Sequence, residues 1–464
     1  MTLIRSISGF RGTIGGKQDE SLTPPDVVKF ASAFYTFLKK SAGKGRMRII
    51  VGRDARISGK MVSDLIVATL TGCGADVTDI GLTTTPTVEM AVLFTGADGG
   101  IIITASHNPK EWNALKFLNA KGEFLSAADG AELLDIAGKG ETVYAGISDL
   151  GTCVTDDTFI DRHIAAILDL PLVDCNAIKK ADFSVVVDAV NSTGGLAVPK
   201  LLKALGVRNV NELYCTPDGN FPHNPEPLPE HLTDISKRIT DIRADVGFVV
   251  DPDVDRLAIL TEEGNPFGEE YTLVAVADFV LQHTPGNTVS NLSSTQALRD
   301  VTRNHGGSYF TAAVGEVNVV SKMKEVKAVI GGEGNGGVIY PELHYGRDAL
   351  VGIALFLTAL AASGEKVSAM RDRFPSYYIS KNKIAFSPGM DVQKILDKLA
   401  KRYAKCDIST IDGVRITFDR EWIHLRKSNT EPIIRIYAES DMMVKADHLA
   451  QKILNDFKEI LNDL

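Results

Sequence analysis

Short apolar runs and amphipathic stretches alternate along this chain in a recurring order. Met47-Arg48-Ile49-Ile50-Val51 reads as a strand, Gly52-Arg53-Asp54 as a turn, Lys60 to Thr71 as a helix and Ala75 to Ile80 as the next strand. The order returns in Phe183 to Val187, the turn Asp188 to Gly195, a helix over Leu196 to Leu205 and a strand over Val207 to Tyr214. It returns again in Thr288 to Asn291, a helix over Thr295 to Asn304 and a strand over Gly307 to Ala312. Such alternation predicts βαβ units in mostly parallel sheets, because a parallel neighbour needs a helical crossover. The copies start more than 100 residues apart, which predicts three related α/β domains.

After Phe374-Pro375 the pattern changes. Alternating positions over Tyr377 to Phe386 predict a strand, and Val392 to Tyr403 a helix. A hairpin of Asp412 to Phe418 with Trp422 to Leu425, a strand over Ile433 to Glu439 and an amphipathic helix over Val444 to Leu461 complete a small α+β domain. The boundaries expected are 1–152, 153–258, 259–375 and 376–464. The longest apolar run, Ala349 to Ala362, has 14 residues between Asp348 and Glu365, which is short for a membrane span and predicts a buried helix.

Composition narrows the class. The 464 residues carry 50 Lys+Arg against 59 Asp+Glu, a formal charge of −9, which disfavours a nucleic-acid partner without excluding a small anion held by local Arg and Lys. Hydrophobic residues at 44% and charged residues at 23% fit a globular chain. The five cysteines are scattered with no C-x-x-C pair, and Met1 to Gly16 has no signal-length apolar segment, so a cytoplasmic location is expected. Asn191-Ser192-Thr193 and Asn291-Leu292-Ser293 are therefore read as turns.

Four segments carry candidate chemistry. Thr104-Ala105-Ser106-His107-Asn108-Pro109 follows the apolar strand Gly100 to Ile103, which puts Ser106 at the carboxyl edge of a sheet. Two readings stand: a covalent relay, or a turn serine hydrogen-bonded by His107; no Gly-x-Ser-x-Gly elbow supports acyl transfer. Asp251-Pro252-Asp253-Val254-Asp255-Arg256 follows Val246 to Val250; in extended backbone its three carboxylates share one side, with Arg256 beside them, and their repulsion calls for a hard divalent cation. A calcium EF-hand fails because the sixth position is Arg256 and the run follows a strand. Arg426-Lys427-Ser428-Asn429-Thr430-Glu431-Pro432, with Arg435, suits either a phosphate site or a solvated hairpin turn. In Gly331 to Gly337, which is neither a P-loop nor a dinucleotide fingerprint, Glu333 and Asn335 can hydrogen-bond sugar hydroxyls.

In this order, these segments resemble the α-D-phosphohexomutase superfamily along essentially the whole chain. They match its T-A-S-H-N-P, D-G-D-x-D-R, G-E-x-S-G and R-x-S-G-T-E-P loops. Gly9-Phe10-Arg11-Gly12, Val51-Gly52-Arg53-Asp54, Asn113-Ala114-Leu115-Lys116 and Pro217 to Pro222 resemble further family motifs. The resemblance implies three related α/β/α domains with mixed sheets and a C-terminal α+β domain around a central cleft. It implies a phosphorylated Ser106 bound to Mg²⁺ with Asp251, Asp253 and Asp255. The phosphoserine exchanges its phosphoryl group with a hexose phosphate through a hexose 1,6-bisphosphate, interconverting the 6- and 1-phosphates. Catalytic roles fall on Ser106, Arg11, Lys116 and His107; Arg256, Glu333, Asn335, Arg426, Ser428, Asn429, Thr430 and Arg435 would bind substrate.

Departures from the family pattern are local. Pro252 replaces Gly in the metal loop, Asn429 replaces Gly in the phosphate loop, Asn335 stands for Ser, and Gly337 for the His of several members. A proton-transfer role of that His has no counterpart here. The Gly-rich and phosphate loops look like a phosphoglucosamine-mutase-like branch, so glucosamine phosphate is the expected substrate and glucose or mannose phosphate the alternative. A metal-dependent phosphatase and a non-catalytic sugar-phosphate sensor are the rival classes. The expected partners are small sugar phosphates, with no nucleic acid and no membrane, for a monomer or homodimer.

Overall fold

The computed structural model describes residues 2–6, 9–42, 45–386, 390–428 and 433–462. The chain divides into two units: Met1–Thr272 with Asn335–Arg371, and Leu273–Gly334 with Asp372–Leu464.

The first unit contains a sheet of β1 (Ile4–Ser6), β2 (Gly9–Thr13), β3 (Arg48–Arg53), β4 (Asp76–Leu82), β5 (Gly99–Ile103), β6 (Trp112–Leu118) and β7 (Cys153–Thr155), in the order β1-β2-β6-β5-β3-β4-β7. The expectation of mostly parallel pairing holds for only half of it. β3 runs parallel to β4 and β5, and β4 to β7, but β5 with β6, β6 with β2 and β2 with β1 are antiparallel. The reason lies in the loop between β5 and β6, which is too short for a crossover helix and can only reverse the chain. That reversal carries Ser106. Below it, buried Phe30, Phe34, Ile101, Ile103 and Phe117 pack with Phe10, whose ring stacks on Phe30 at 3.7 Å.

A second sheet joins β8 (Ser184–Asp188), β9 (Asn209–Leu213), β10 (Val246–Val250) and β11 (Leu257–Leu260) in the order β11-β10-β8-β9. β8 runs parallel to β9 and β10, while β10 and β11 form an antiparallel hairpin whose turn is the acidic run 251–256.

In the second unit β12 (Asn287–Asn291) pairs in parallel with β13 (Tyr309–Ala312) and β14 (Ala328–Glu333). β15 (Gly337–Ile339) belongs to the first unit. There the apolar run forms the helix Ala349–Ser363, buried from Ala349 to Leu360, with Asp348 accepting from the Leu350 and Val351 amides and Gly364 ending it in the left-handed region. Among the described residues no helix is long and apolar enough to cross a membrane.

The C-terminal sheet is antiparallel, built from β16 (Tyr378–Ala385), β17 (Asp407–Ser409), β18 (Val414–Thr417), β19 (Trp422–Lys427) and β20 (Ile433–Ser440) in the order β16-β20-β19-β18-β17. The helices Val392–Arg402 and Met443–Asn462 supply Ile395, Leu399, Ile453 and Phe457 to a core with Ile416, Ile423, Ile434 and Ile436. This is the α+β order that the sequence predicts, with β17 added.

Glu439 on β20 is fully buried in this unit, and its Oε1 accepts from Trp422 Nε1 at 2.7 Å and from the Gln296 amide at 3.0 Å. Burial pushes its carboxyl up to about 7, against the pull of Thr295, Gln296 and Trp422. A carboxyl with a folded pKa above its unfolded value binds protons in the native state, so its contribution falls as pH rises between the two. We expect Glu439→Gln to gain stability relative to wild type as pH rises from 4.5 to 7, by up to ~3 kcal/mol. Chemical denaturation across that range checks this, and a difference independent of pH would refute it.

Candidate functional site

Ser106 sits just beyond β5, nearly buried, with its backbone in the left-handed region at φ +48°. A non-glycine residue adopts that conformation at a cost, and here both ends of the residue are held. Its amide donates to Thr104 Oγ1 at 2.9 Å, and its carbonyl accepts from Arg56 Nη2 at 2.5 Å. The hydroxyl then points at the acidic turn, donating to Asp251 Oδ2 at 2.7 Å, with His107 Nδ1 3.4 Å away.

The acidic turn converges, but not as alternation in an extended strand. Val254 at φ +64° turns the chain, and its amide donates to the Asp251 carbonyl at 3.1 Å. One carboxylate oxygen from each of Asp251, Asp253 and Asp255 lies within 4.8 Å of the others, and all three residues are fully buried. Pro252 anchors the turn, its carbonyl accepting from Ser192 Oγ at 2.7 Å and Thr193 Oγ1 at 2.9 Å. Asp253 Oδ1 and Asp255 Oδ1 are buried and have no hydrogen-bond partner among the described residues, which fits oxygens reserved for a hard cation.

Cations and donors from three other segments surround the turn. Lys116 Nζ on β6 lies 2.9 Å from Asp253 Oδ2 and 4.0 Å from Asp255 Oδ2. Arg347 Nη2 reaches Asp255 Oδ2 at 2.6 Å, and Thr85 Oγ1 donates to Asp253 Oδ2 at 2.7 Å. The electrostatics divide the triad. Burial and the neighbouring Asp255 and Asp253 push Asp251 well up; at Asp253 burial pulls upward too, but Lys116 and the Thr85 hydrogen bond act together against it and the carboxyl is held down. Burial alone would lower Lys116, but Asp253 and Asp255 raise it, so it stays cationic. Burial and the Arg256 charge press His107 well below the usual imidazole range, leaving it neutral near pH 7.

The other expected site residues fall as follows. Arg11 lies on β2 opposite Ala114, in the strand that flanks β6. Arg256 donates its amide to Asp251 Oδ1 at 3.2 Å and its Nη1 to Glu226 Oε1 at 3.3 Å. Asn335 Oδ1 accepts from the Gly337 amide at 3.3 Å. A Cβ at Gly337 would lie 2.4 Å from Arg347 Cδ, so the arginine that reaches Asp255 fills the space a His side chain would need. In the second unit, Glu333 Oε1 accepts from Asn291 Nδ2 at 2.8 Å and from the Gly315 amide at 3.0 Å. Arg426 on β19 stands directly opposite Arg435 on β20, a like-charge pair that favours an anion between them. Burial and Arg435 together lower Arg426, against the pull of Asp412. Ser428 closes the strand end, its amide donating to the Ile433 carbonyl at 2.8 Å. Asn429 and Thr430 lie outside the described residues.

Sequence reading misses Arg56, Arg347 and Thr85, and gives Thr104 no role of its own within the serine segment. Arg56 is fully buried, and its guanidinium uses every edge: Nε to Asp54 Oδ2 at 3.1 Å, Nη1 to the carbonyls of Pro109 and Trp112 at 2.7 and 2.9 Å, and Nη2 to those of Ser106 and Asn108 at 2.5 and 2.6 Å. Asp54 in turn accepts from Thr104 Oγ1 at 2.6 Å, closing a ring of bonds around the serine. The only sequence signal is a second arginine two residues after Arg53-Asp54.

Four family models match in chain order: phosphoglucomutase/phosphomannomutase α/β/α domain I over residues 4–143, domain II over 161–264, domain III over 268–378 and the C-terminal domain over 383–456. A phosphoglucomutase/phosphomannomutase of Thermococcus kodakarensis is 36% identical over 441 residues, covering 94% of this chain and 95% of the relative. A phosphoglucosamine/phosphogalactosamine mutase of Sulfurisphaera tokodaii is 31% identical over 465 residues, covering 98% of each. A solved phosphoglucomutase/phosphomannomutase family protein from Burkholderia thailandensis superposes with a TM-score of 0.84 at 26% identity, covering 99% of this chain and 97% of that one.

Arg56→Met leaves the Asp54 carboxylate buried without its countercharge and strands four carbonyls, so we expect a stability loss of about 3–5 kcal/mol. Chemical denaturation measures it; a loss under about 1 kcal/mol would mean that Arg56 does not hold the serine loop.

Proposed function

The chain belongs to the phosphoglucomutase/phosphomannomutase family of phosphohexomutases, and from that premise we propose that it moves a phosphoryl group between O6 and O1 of a hexose through Ser106. The preferred substrate in this reading is glucosamine phosphate, with glucose or mannose phosphate as the alternative. The observation that carries the mechanism is the 2.7 Å approach of Ser106 Oγ to Asp251 Oδ2, in a triad two of whose buried oxygens have no hydrogen-bond partner among the described residues.

Ser106 with Asp251, Asp253 and Asp255 would hold Mg²⁺, which offsets charge on the transferring phosphoryl oxygens. In the forward half-reaction the free sugar hydroxyl attacks the phosphorus of phosphorylated Ser106. The bond from phosphorus to Ser106 Oγ breaks, and the hydroxyl proton leaves. Lys116 and Arg11, both cationic, bring positive charge to the oxygens on which negative charge develops, and neutral His107 beside Oγ is placed to relay the hydroxyl proton, which ends on the departing Ser106 Oγ. The product is a hexose 1,6-bisphosphate. After it turns over, Ser106 Oγ attacks the phosphorus of the substrate's original phosphate, the bond from that phosphorus to the sugar oxygen breaks and the serine proton passes to that oxygen, so Ser106 ends phosphorylated and the net change is isomerisation.

Arg426, Ser428, Asn429, Thr430 and Arg435 take the role of gripping the phosphate that does not react, with orienting the sugar as the return on that binding. Arg256, Glu333 and Asn335 read the sugar's hydroxyls. The four domains with boundaries at 152, 258 and 375, a cytoplasmic location and a monomeric or homodimeric state go with this reading.

Ser106→Ala should abolish turnover while sugar-phosphate binding stays within a few-fold; near-normal kcat would refute the covalent route. Incubation with glucosamine 6-phosphate and a trace of bisphosphate should yield the 1-phosphate isomer, and free phosphate in its place would favour a phosphatase. A panel of kcat/KM values for glucosamine, glucose, mannose and N-acetylglucosamine phosphates tests the substrate. Glucosamine phosphate ranking below glucose or mannose phosphate would move the assignment to the alternative.

A further inference from the structure

One turn along the helix Thr85–Thr95, whose first residue supports Asp253, the first unit buries a second set of ligand-type side chains. His163 on the helix Phe159–Leu168, and His344 and Asp348 just before the helix Ala349–Ser363, are all buried, and one donor atom from each lies within 4.8 Å of the others. We propose that His163, His344 and Asp348 form a transition-metal site of the zinc class, separate from the hard-cation site at Asp251, Asp253 and Asp255.

Three observations point that way. The Nε2 atoms of His163 and His344 converge on a single oxygen, Asp348 Oδ2, at 3.0 and 3.3 Å. Donor atoms around a tetrahedral zinc ion with bonds of ~2.0 Å stand roughly 3.3 Å apart; the two histidine-to-aspartate sides of the triangle are close to that spacing, and the third side is within 4.8 Å. The donor set of two imidazoles and one carboxylate selects a borderline metal over Mg²⁺ or Ca²⁺, which take oxygen ligands.

Each outer nitrogen has a polar neighbour on the helix Thr85–Thr95. His163 Nδ1 meets Thr87 Oγ1 at 3.0 Å, and His344 Nδ1 lies 3.2 Å from Glu89 Oε2 on the same helix. A carboxylate or hydroxyl behind the outer nitrogen is the arrangement that orients metal-binding imidazoles. Asp348 is fixed through its other oxygen, which accepts from the Leu350 and Val351 amides.

Charge balance agrees. Glu89 and Asp348 place two carboxylates in this buried set, and a divalent ion offsets both while each imidazole stays neutral. Without a metal, the same balance needs two buried imidazoliums whose rings lie 6.0 Å apart.

The test uses the full-length chain. Metal analysis after extensive dialysis in Mg²⁺ buffer should find zinc near one per chain in wild type and in Asp253→Asn, and affinity at least ~100-fold weaker in His163→Gln and His344→Gln. Should those variants fail to fold, Co²⁺ titrated into metal-stripped wild type decides, since imidazole ligation gives visible absorption bands. Absence of retained zinc together with a featureless Co²⁺ titration overturns the site and makes the cluster a proton-bridged pair. Zinc retained undiminished in His163→Gln overturns it as well. Neither readout depends on mutase activity, so loss of the phosphoryl-transfer reading and loss of this site are distinguishable.

Discussion

Burying three carboxylates on one turn is the constraint around which the first unit is arranged. At separations near 4 Å and an effective dielectric near 20, each ionised pair repels by roughly 4 kcal/mol, before the cost of removing the charges from water. The turn answers locally by positive backbone at Val254 and by the anchored Pro252 carbonyl. The remaining compensation comes from elsewhere in the chain: Lys116 from β6, Arg347 from the approach to a buried helix, Thr85 from a helix start and Ser106 from the loop after β5. Each of those segments is fixed by its own sheet or helix, so the acidic turn and the surrounding elements are mutually dependent. A hard cation would relieve the same repulsion at the two oxygens that lack hydrogen bonds among the described residues.

The serine loop shows a complementary logic. Its carbonyls face inward, where unsatisfied acceptors are costly, and one guanidinium meets four of them while pairing with Asp54. The planar fork of arginine suits this, because its donors are fixed relative to one another. Phe221 covers the guanidinium at 5.2 Å, so the Pro217 to Pro222 turn takes part in holding the loop. The Ser106 backbone is thus fixed by these contacts, leaving its hydroxyl turned toward the acidic turn with His107 beside it.

Most of the element order was legible because strand and helix periodicities are local properties of the sequence. The antiparallel half of the first sheet was less so, since β2 and β6 lie about a hundred residues apart in sequence and their pairing depends on one short reversal. For the acidic run, alternation led to the right convergence through the wrong backbone: the run is a turn, and nothing in Pro-Asp-Val-Asp signals positive φ at a valine. Arg56 and Arg347 were invisible for a related reason. A charged residue reads as surface in a single sequence, and only tertiary structure shows it spent on interior carbonyls or a buried carboxylate. Gly337 is the instructive case, since its departure from the family pattern makes sense once Arg347 is seen filling the space.

The left-handed backbone at Ser106 sets durability against reactivity at a single residue. Glycine adopts that region freely, whereas any residue with a Cβ holds it at a cost of about 1 kcal/mol. Glycine at position 106 would relieve that strain but would also remove the hydroxyl that donates to buried Asp251, so the two effects on stability oppose one another. The position is therefore held from both sides: the backbone asks for glycine, and the acidic turn asks for a short side chain with a proton to give.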